Sequence, residues 1–329
     1  MFATGIGSLP GSDMRGALRH VLGSFQHGWL PELPERGIGA DMIGRTTAVL
    51  VGLGIDLQPQ GWRLTDAPGV DHGRARGLLR ADLDEMEEAA QNHGGTITLS
   101  LAGPWTLAAC LERPRGDKVL ADHGARREVA ESLALGAAEL LAEMSRRLPG
   151  LDFALQLDEP MLPLVMAGRV PTASGFSRLR SVQPPAVADL LGRVPTAAHQ
   201  EVERVSLHCC AAGLDLDVVG RCGIDEVCLD QETLGVGDLD ALSGWLEAGR
   251  GLRLGVVPTR VPDALLDADR IVERALGLLR PLGLDPGLLD RQVSLSPACG
   301  LAGWSSSAAA RQDEELLRAA ELLPEQLQR

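Results

Sequence analysis

Short runs of aliphatic and β-branched residues alternate along the chain with longer segments of helical periodicity, about seven times in all. The predicted strands cover residues 2–6, 96–101, 151–157, 205–210, 225–230, 252–257 and 292–295, with a weaker candidate at 55–64. The predicted helices cover residues 41–53, 82–93, 118–147, 176–202, 214–220, 239–248, 263–280 and 307–328. Such alternation indicates an α/β protein in which helices connect the strands of a parallel sheet.

Polar and reactive side chains recur where the predicted strands end. They are Ser8, Asp158, His208, Cys210, Asp230 and Cys299. In a (β/α)8 barrel the carboxyl ends of all strands converge on one face, and that face holds the active site. A doubly wound sheet is the alternative, but no Gly-x-Gly-x-x-Gly loop follows the first strand. We therefore predict a single (β/α)8 TIM barrel over residues 1–329, since the sequence shows neither an internal repeat nor a clear linker.

Charge and cysteine content limit the classes of partner and the compartment. The 31 basic and 45 acidic residues give a formal net charge of −14, which argues against nucleic acid or an anionic membrane surface as the main partner. The six irregularly spaced cysteines do not resemble a disulfide framework and fit a reducing cytoplasm. We recognise no signal peptide and no apolar stretch of about 18 residues, so we expect a cytoplasmic location.

Two metal-ligating side chains occur together in the strand around residues 205–210. His208 and Cys210 are two residues apart, so both point to one face of a strand while Cys209 points to the other. An imidazole and a thiolate that converge in this way suit Zn²⁺. Two ligands do not complete a site, so other strand ends must supply the rest.

Two other strand ends provide candidates for the remaining positions. Cys299 follows the last predicted strand in a Pro-Ala-Cys-Gly turn, and Asp230 ends the strand after the one that holds His208 and Cys210. The four side chains together would form a tetrahedral zinc site.

The spacing of the residues along the sequence does not decide which side chain is the fourth ligand. Cys228 and Glu232 compete with Asp230 for the fourth position. Free cysteine usually acts as a small buried hydrophobic residue, and we interpret three cysteines in this way: Cys110, Cys209 and Cys222. Spacing alone supports a metal at His208 and Cys210 about as well as ordinary packing.

Several short motifs, taken in order, resemble the catalytic C-terminal barrel of cobalamin-independent methionine synthase. They are Thr4-Gly5-Ile6-Gly7-Ser8-Leu9-Pro10, Gly103-Pro104-Trp105-Thr106, Asp158-Glu159-Pro160, His208-x-Cys210 with a strand ending in Asp230, and Pro297-Ala298-Cys299-Gly300. The resemblance covers nearly the whole chain. It implies a zinc-activated homocysteine thiolate that accepts a methyl group and becomes methionine.

The resemblance also implies roles for individual residues. His208, Cys210 and Cys299 match the zinc ligands of the family, and Asp230 falls where the family has Glu, whose side chain is longer. Substrate-binding roles are implied for a second set: Ile6, Gly7 and Ser8 at the backbone end of the amino acid, Asp158 at its amino group, and Glu32 as a second such carboxylate.

Two departures from the family concern the methyl donor. Its full-length enzymes have a second, N-terminal barrel that helps to hold polyglutamylated methylfolate, and we expect 329 residues to accommodate only one barrel. The family also has a His-Ser-Pro-Arg segment whose His is a proposed proton donor, and the matching stretch here begins with Val257. Methylfolate must be protonated at its leaving nitrogen, whereas a methylcorrinoid, free or on a carrier protein, needs no such acid. The missing His disfavours methylfolate, and the sequence leaves both donors open.

Other functions are compatible with the same residues. One alternative is methyl or alkyl transfer to a different thiol. Another is a non-catalytic barrel that binds zinc or a thiol. The related uroporphyrinogen decarboxylase family shares the architecture but does not need the cysteine and histidine set, so it ranks well below.

Overall fold

The computed structural model describes residues 1–262 and 264–329. Its strands are β1 (His27–Trp29), β2 (Gly54–Gln58), β3 (Gly61–Thr65), β4 (Thr96–Ala102), β5 (Asp152–Asp158), β6 (Arg204–Cys209), β7 (Glu226–Asp230), β8 (Gly251–Val257) and β9 (Val293–Pro297). Within these residues, seven strands form one parallel sheet in the order β1-β4-β5-β6-β7-β8-β9, and β2 and β3 form a separate antiparallel pair. The predicted α/β class with a parallel sheet is confirmed.

Helices fill most of the connections between the strands. They are α1 (Met14–Ser24), α2 (Met42–Thr47), α3 (Val70–Ala89), α4 (Pro104–Cys110), α5 (His123–Arg147), α6 (Leu162–Met166), α7 (Pro184–Leu191), α8 (Arg193–Ala198), α9 (Leu216–Val219), α10 (Leu239–Glu247), α11 (Ala268–Leu279), α12 (Pro286–Gln292) and α13 (Ser306–Leu327). In the part of the chain that the structure describes, no helix is both long enough and apolar enough to span a bilayer.

The N-terminal segment connects the two edges of the sheet. Ala3 pairs with Leu295 of β9 through a single parallel bridge, and the Thr4 amide donates to the Leu295 carbonyl at 3.0 Å. On its other side, the Thr4 hydroxyl donates to the carbonyl of His27 in β1 at 2.6 Å. The sheet is therefore curled and consistent with a TIM-like fold. Among the described residues the sheet has seven strands, and the segment at 2–6 contributes one bridge rather than the full ladder of an eighth strand.

The weak strand candidate at 55–64 is not an eighth strand of this sheet. It folds into the hairpin of β2 and β3, in which Gly54 pairs with Thr65 and Gln58 with Gly61. The additional parallel strand comes instead from His27–Trp29, which pairs with the start of β4. A three-residue strand that contains a glycine carries too little periodicity to be recognised.

Capping side chains mark the start of several helices more accurately than apolar periodicity does. The predicted helix 118–147 begins as α5 at His123, because the Asp122 side chain accepts from the Ala125 amide. The predicted helix 41–53 is shorter and ends as α2 at Thr47. The predicted helix 263–280 starts on residue 263, outside the described residues, and α11 begins at Ala268, after an Asp267 cap.

Candidate metal centre at the strand ends

Three of the predicted ligands lie together at the carboxyl ends of β6 and β9. His208 is the second-last residue of β6, Cys210 follows the strand, and Cys299 lies two residues after β9. Their ligand atoms are within 4.8 Å of one another. Curling of the sheet produces this proximity, because β6 and β9 are three strands apart in its order.

This donor set fits Zn²⁺. Zinc binds thiolate sulfur at about 2.3 Å and imidazole nitrogen at about 2.0 Å in tetrahedral geometry, so its ligands lie within about 4 Å of one another. The separation of His208, Cys210 and Cys299 requires only small side-chain adjustments to reach that value. Three protein ligands with a fourth position left for substrate are typical of catalytic rather than structural zinc.

Hydrogen bonds within the cluster favour the thiolate form of Cys210. The hydrogen bond from Cys299, followed by that from His208, lowers the pKa of Cys210 to about 4. Burial opposes a charge on His208, but the bonds to Asp158 and Cys210 outweigh it and raise the pKa of His208 to about 10. The hydrogen bond with Cys210 and burial raise the pKa of the Cys299 thiol. Cys210 is thus held as a thiolate, the form that binds a metal.

The imidazole of His208 is held on both sides. Its Nδ1 lies 2.8 Å from Oδ1 of Asp158, the residue beside it in β5. Its Nε2 lies 3.2 Å from the carbonyl of Ala298, the residue before Cys299. A carboxylate on one ring nitrogen fixes the tautomer and orientation of a ligating histidine.

The structure does not bring Asp230 into the ligand group. Its carboxylate accepts from the Glu232 amide at 2.9 Å and so caps the turn Gln231–Thr233, which begins directly after β7. Burial raises the pKa of Asp230, and the nearby Cys210 contributes in the same direction. Asp230 is thus near the cluster, but its carboxylate is hydrogen-bonded within the turn that it caps.

The two alternatives to Asp230 also lie outside the group of three. Glu232 is exposed and pairs with Arg274 at 3.0 Å. Cys228 is fully buried between His208 and Arg253 in the sheet register, and burial raises the pKa of its thiol to about 12. Neither side chain is placed to join the cluster without rearrangement.

The predicted substrate-binding segment lies against the metal cluster. Ser8 forms a parallel bridge with Glu32, and its carbonyl accepts from the Leu301 amide at 2.7 Å, two residues beyond Cys299. A Cβ at Gly300 would lie 1.9 Å from the Ser8 hydroxyl oxygen, so only glycine fits there. The Ile6–Ser8 stretch thus lies between the Glu32 segment and the Cys299 turn.

Glu32 provides a buried carboxylate with an unused oxygen. It is 6% exposed, and among the described residues its Oε1 has no hydrogen-bond partner. Burial raises its pKa to about 7, with Arg45 opposing and Asp158 contributing to the rise. His208 is also close enough to influence this pKa. An unpaired buried carboxylate beside Asp158 is suited to binding a cation.

Glu159 connects the Asp158-Glu159-Pro160 motif to the Gly103-Pro104-Trp105-Thr106 motif by hydrogen bonds. Its Oε1 accepts from the Trp105 amide at 2.8 Å, and its Oε2 accepts from the amide and hydroxyl of Thr106 at 2.8 and 2.7 Å. Glu159 therefore caps α4 from a neighbouring strand end. A Cβ at Gly103 would lie 2.3 Å from Oε1, which explains the glycine. Asp158 and Glu159, although adjacent, thus have different partners.

Sequence reasoning missed a set of polar residues inside the curled sheet. These are Gln156, Glu226 and Arg253, each at most 4% exposed. The available signal was a polar residue within an apolar strand, as in Leu155-Gln156-Leu157 and Leu252-Arg253-Leu254. Their partners could not be assigned without the sheet order.

Comparison with known proteins yields a structural match but no sequence match. No protein-family model and no curated protein matches the chain. A B12-independent methionine synthase from Shewanella sp. W3-18-1, solved in complex with selenomethionine, superposes with a TM-score of 0.64 at 13% identity, over 99% of this chain and 98% of that chain. At this identity the likeness concerns the fold alone.

Two further matches to solved structures have low scores. A D-allulose 3-epimerase from Methylomonas sp. gives a TM-score of 0.39 at 12% identity, over 75% of this chain and 82% of that chain. A family 18 chitinase from Crocus vernus gives 0.35 at 13% identity, over 72% and 76%. These scores are too low to bear on function.

Proposed function

We propose that the protein is a zinc-dependent methyltransferase that activates a thiol, most simply homocysteine, and methylates it to methionine. The observation that carries the proposal is the convergence of His208, Cys210 and Cys299, with the buried Glu32 close enough for Asp158 and His208 to influence its pKa. The fold shared with a methionine synthase supports it. The proposed architecture is a (β/α)8 barrel in which the segment at residues 2–6 takes the eighth strand position.

His208, Cys210 and Cys299 would hold the zinc, with Asp230 as an exchangeable fourth ligand after release from its turn. Bound Zn²⁺ lowers the pKa of a coordinated thiol, which is only a few per cent thiolate at neutral pH when free. Because two protein thiolates already neutralise the ion, the incoming sulfur would retain its nucleophilicity.

Glu32 and Asp158 would bind the ammonium group of the acceptor. Both are buried, and Asp158 contributes to the raised pKa of Glu32 and of His208. Ion pairs are stronger in such a partly desolvated space than in water. Ile6, Gly7 and Ser8 would hold the backbone end of the amino acid, and the space beside Gly7 is open, since a Cβ there would have no neighbour within 4 Å.

The methyl donor in this proposal is a methylcorrinoid, free or on a carrier protein, rather than methylfolate. Val257, at the position where the related family has the proton-donating His, is fully buried at the end of β8 and has no titratable group. A leaving folate nitrogen would need a proton from such a residue, whereas reduced cobalt leaves without one.

The test is methionine formation by the zinc-loaded protein from homocysteine with methylcobalamin or with 5-methyltetrahydrofolate. The proposal predicts turnover with the corrinoid, loss of turnover in Cys210→Ala, and retention in the matched control Cys209→Ala. Turnover only with another thiol would support the alternative alkyl transfer. No turnover with any thiol, together with bound zinc, would support a binding protein.

A further inference from the structure

A continuous row of buried polar side chains crosses the interior of the curled sheet. Glu226 Oε2 lies 2.6 Å from Arg253 Nη2, and Arg253 Nη1 donates to Gln156 Oε1 at 3.0 Å. Gln156 Nε2 donates to Asp158 Oδ1 at 2.9 Å, and that oxygen lies 2.8 Å from Nδ1 of His208. The row thus connects the interior of the sheet to the metal cluster.

We propose that Gln156, oriented by Arg253 and Glu226, is the positioning residue that sets Asp158, and through it His208, for metal binding. This inference rests on the proposed zinc site. It assigns a role to side chains that contact neither the cluster of three nor the Glu32 carboxylate.

The orientation of the Gln156 amide is determined by its neighbours. Its oxygen faces a guanidinium, which only donates, and its nitrogen faces the Ile6 carbonyl at 2.7 Å and the Asp158 carboxylate, which accept. A flipped amide would place an NH₂ group against Arg253 and an oxygen against Asp158. Gln156 therefore couples the Ile6–Ser8 segment to Asp158 in one geometry.

The two oxygens of Asp158 have different environments as a result. Among the described residues, the side-chain hydrogen bonds of Asp158 involve Oδ1, which is shared by Gln156 and His208. Oδ2 remains available for the acceptor ammonium. Without the Gln156 bond, the Asp158 carboxylate would be free to turn away from Nδ1 of His208, and the His208 ring would lose its fixed orientation.

The ion pair of Glu226 and Arg253 explains how the row is held. Both side chains are about 5% exposed, and burying a charge pair costs desolvation energy that its attraction often fails to repay. Retention of such a pair in the interior is better explained by specificity of geometry than by stability. Here the ion pair holds Arg253 against the amide oxygen of Gln156, and the amide nitrogen therefore faces Asp158.

The experiment compares metal binding by wild type, Gln156→Leu and Gln156→Glu, with Zn²⁺ alone measured by chelator competition and Co²⁺ alone by its visible spectrum. Loss of an outer hydrogen-bond partner typically lowers metal affinity roughly 10- to 100-fold. We expect a loss of that size in both variants and a shift of the cobalt d–d bands. Ser100→Ala is the control, because Ser100 is Gln156's register neighbour and its buried hydroxyl lacks a partner among the described residues.

The outcomes separate this inference from the proposed function. If wild type binds no zinc, the proposed function fails. If wild type binds zinc and the cobalt spectra of the Gln156 variants equal that of wild type, the positioning role is overturned. This holds for any zinc affinity of the variants. Gln156→Glu keeps the side-chain size and the acceptor for Arg253, so it carries the test if Gln156→Leu does not fold.

Discussion

Nδ1 of His208 lies 2.8 Å from Oδ1 of Asp158, and the two residues are register partners on β6 and β5. The parallel ladder therefore places a carboxylate beside an imidazole without any contribution from loops. Residues on strands are held more rigidly than residues on loops, which suits a site that must bind a metal in one geometry. Cys210 and Cys299 then approach from just beyond the ends of β6 and β9.

The low pKa of Cys210 predicts selective alkylation of the metal-free protein. The hydrogen bond from Cys299, with that from His208, lowers the pKa of Cys210 to about 4, whereas burial raises the pKa of Cys209 to about 12. At pH 6, iodoacetamide should modify Cys210 at least about 100-fold faster than Cys209, because the thiolate is the nucleophile. Peptide mapping by mass spectrometry measures this. Equal modification of the two cysteines, or no protection by added zinc, would contradict the assignment.

Acceptor binding should depend on pH through Glu32. Burial raises the pKa of Glu32 to about 7, so the carboxylate that attracts an ammonium group predominates above pH 7 and is lost below it. The KM for homocysteine should rise as the pH falls below 7, approaching about tenfold per pH unit. Glu32→Gln should remove this dependence. The control acceptor is 4-mercaptobutyrate, which lacks the amino group; an equal effect of the substitution on both acceptors argues against the ion pair.

The ionised Glu32 carboxylate should lower the free energy of unfolding at alkaline pH. Its pKa is raised from 4.5 to about 7 in the folded state, so its contribution to stability is fully present below pH 4.5 and is lost as the pH rises through 7. Glu32→Gln should therefore raise the free energy of unfolding at pH 8 by up to about 3 kcal/mol. The gain should shrink toward pH 5 in denaturant titrations. A gain that is independent of pH would show that titration of Glu32 is not its cause.

Gly103 should be intolerant of a side chain. A Cβ there would lie 2.3 Å from the Glu159 carboxylate that caps α4, so Gly103→Ala must displace Glu159 and its three hydrogen bonds. We expect a loss of about 2 kcal/mol in the free energy of unfolding. The matched control is Gly77→Ala in α3, where a Cβ has no neighbour within 4 Å and alanine should stabilise by about 0.5–1 kcal/mol. Similar effects of the two substitutions would contradict this packing.

The sequence predicted the part of the site that depends on strand periodicity. The spacing predicted that His208 and Cys210 share one side of the chain and that Cys209 points to the other; His208 lies in β6, Cys210 directly follows it, and Cys209 is buried. Cys299 was found from its position after the last strand. These predictions use only local geometry and the rule that parallel strand ends meet on one face.

The remaining features depend on contacts between segments distant in sequence. Aspartate is a common capping residue, but the sequence alone does not decide between a cap and a metal ligand for Asp230. Glu159 caps a helix 53 residues away, and Gln156 contacts Ile6 across 150 residues. The curling of the sheet determines such pairs, and strand patterns alone cannot predict them.

We propose that the cluster of His208, Cys210 and Cys299 binds zinc and presents it to a thiol substrate. Zinc K-edge X-ray absorption on the zinc-loaded protein, without and with saturating homocysteine, tests it most directly. We expect two sulfur ligands, from Cys210 and Cys299, in the free protein and a third when homocysteine is added, with loss of a nitrogen or oxygen ligand. A zinc coordination shell that does not change when homocysteine is added would contradict it.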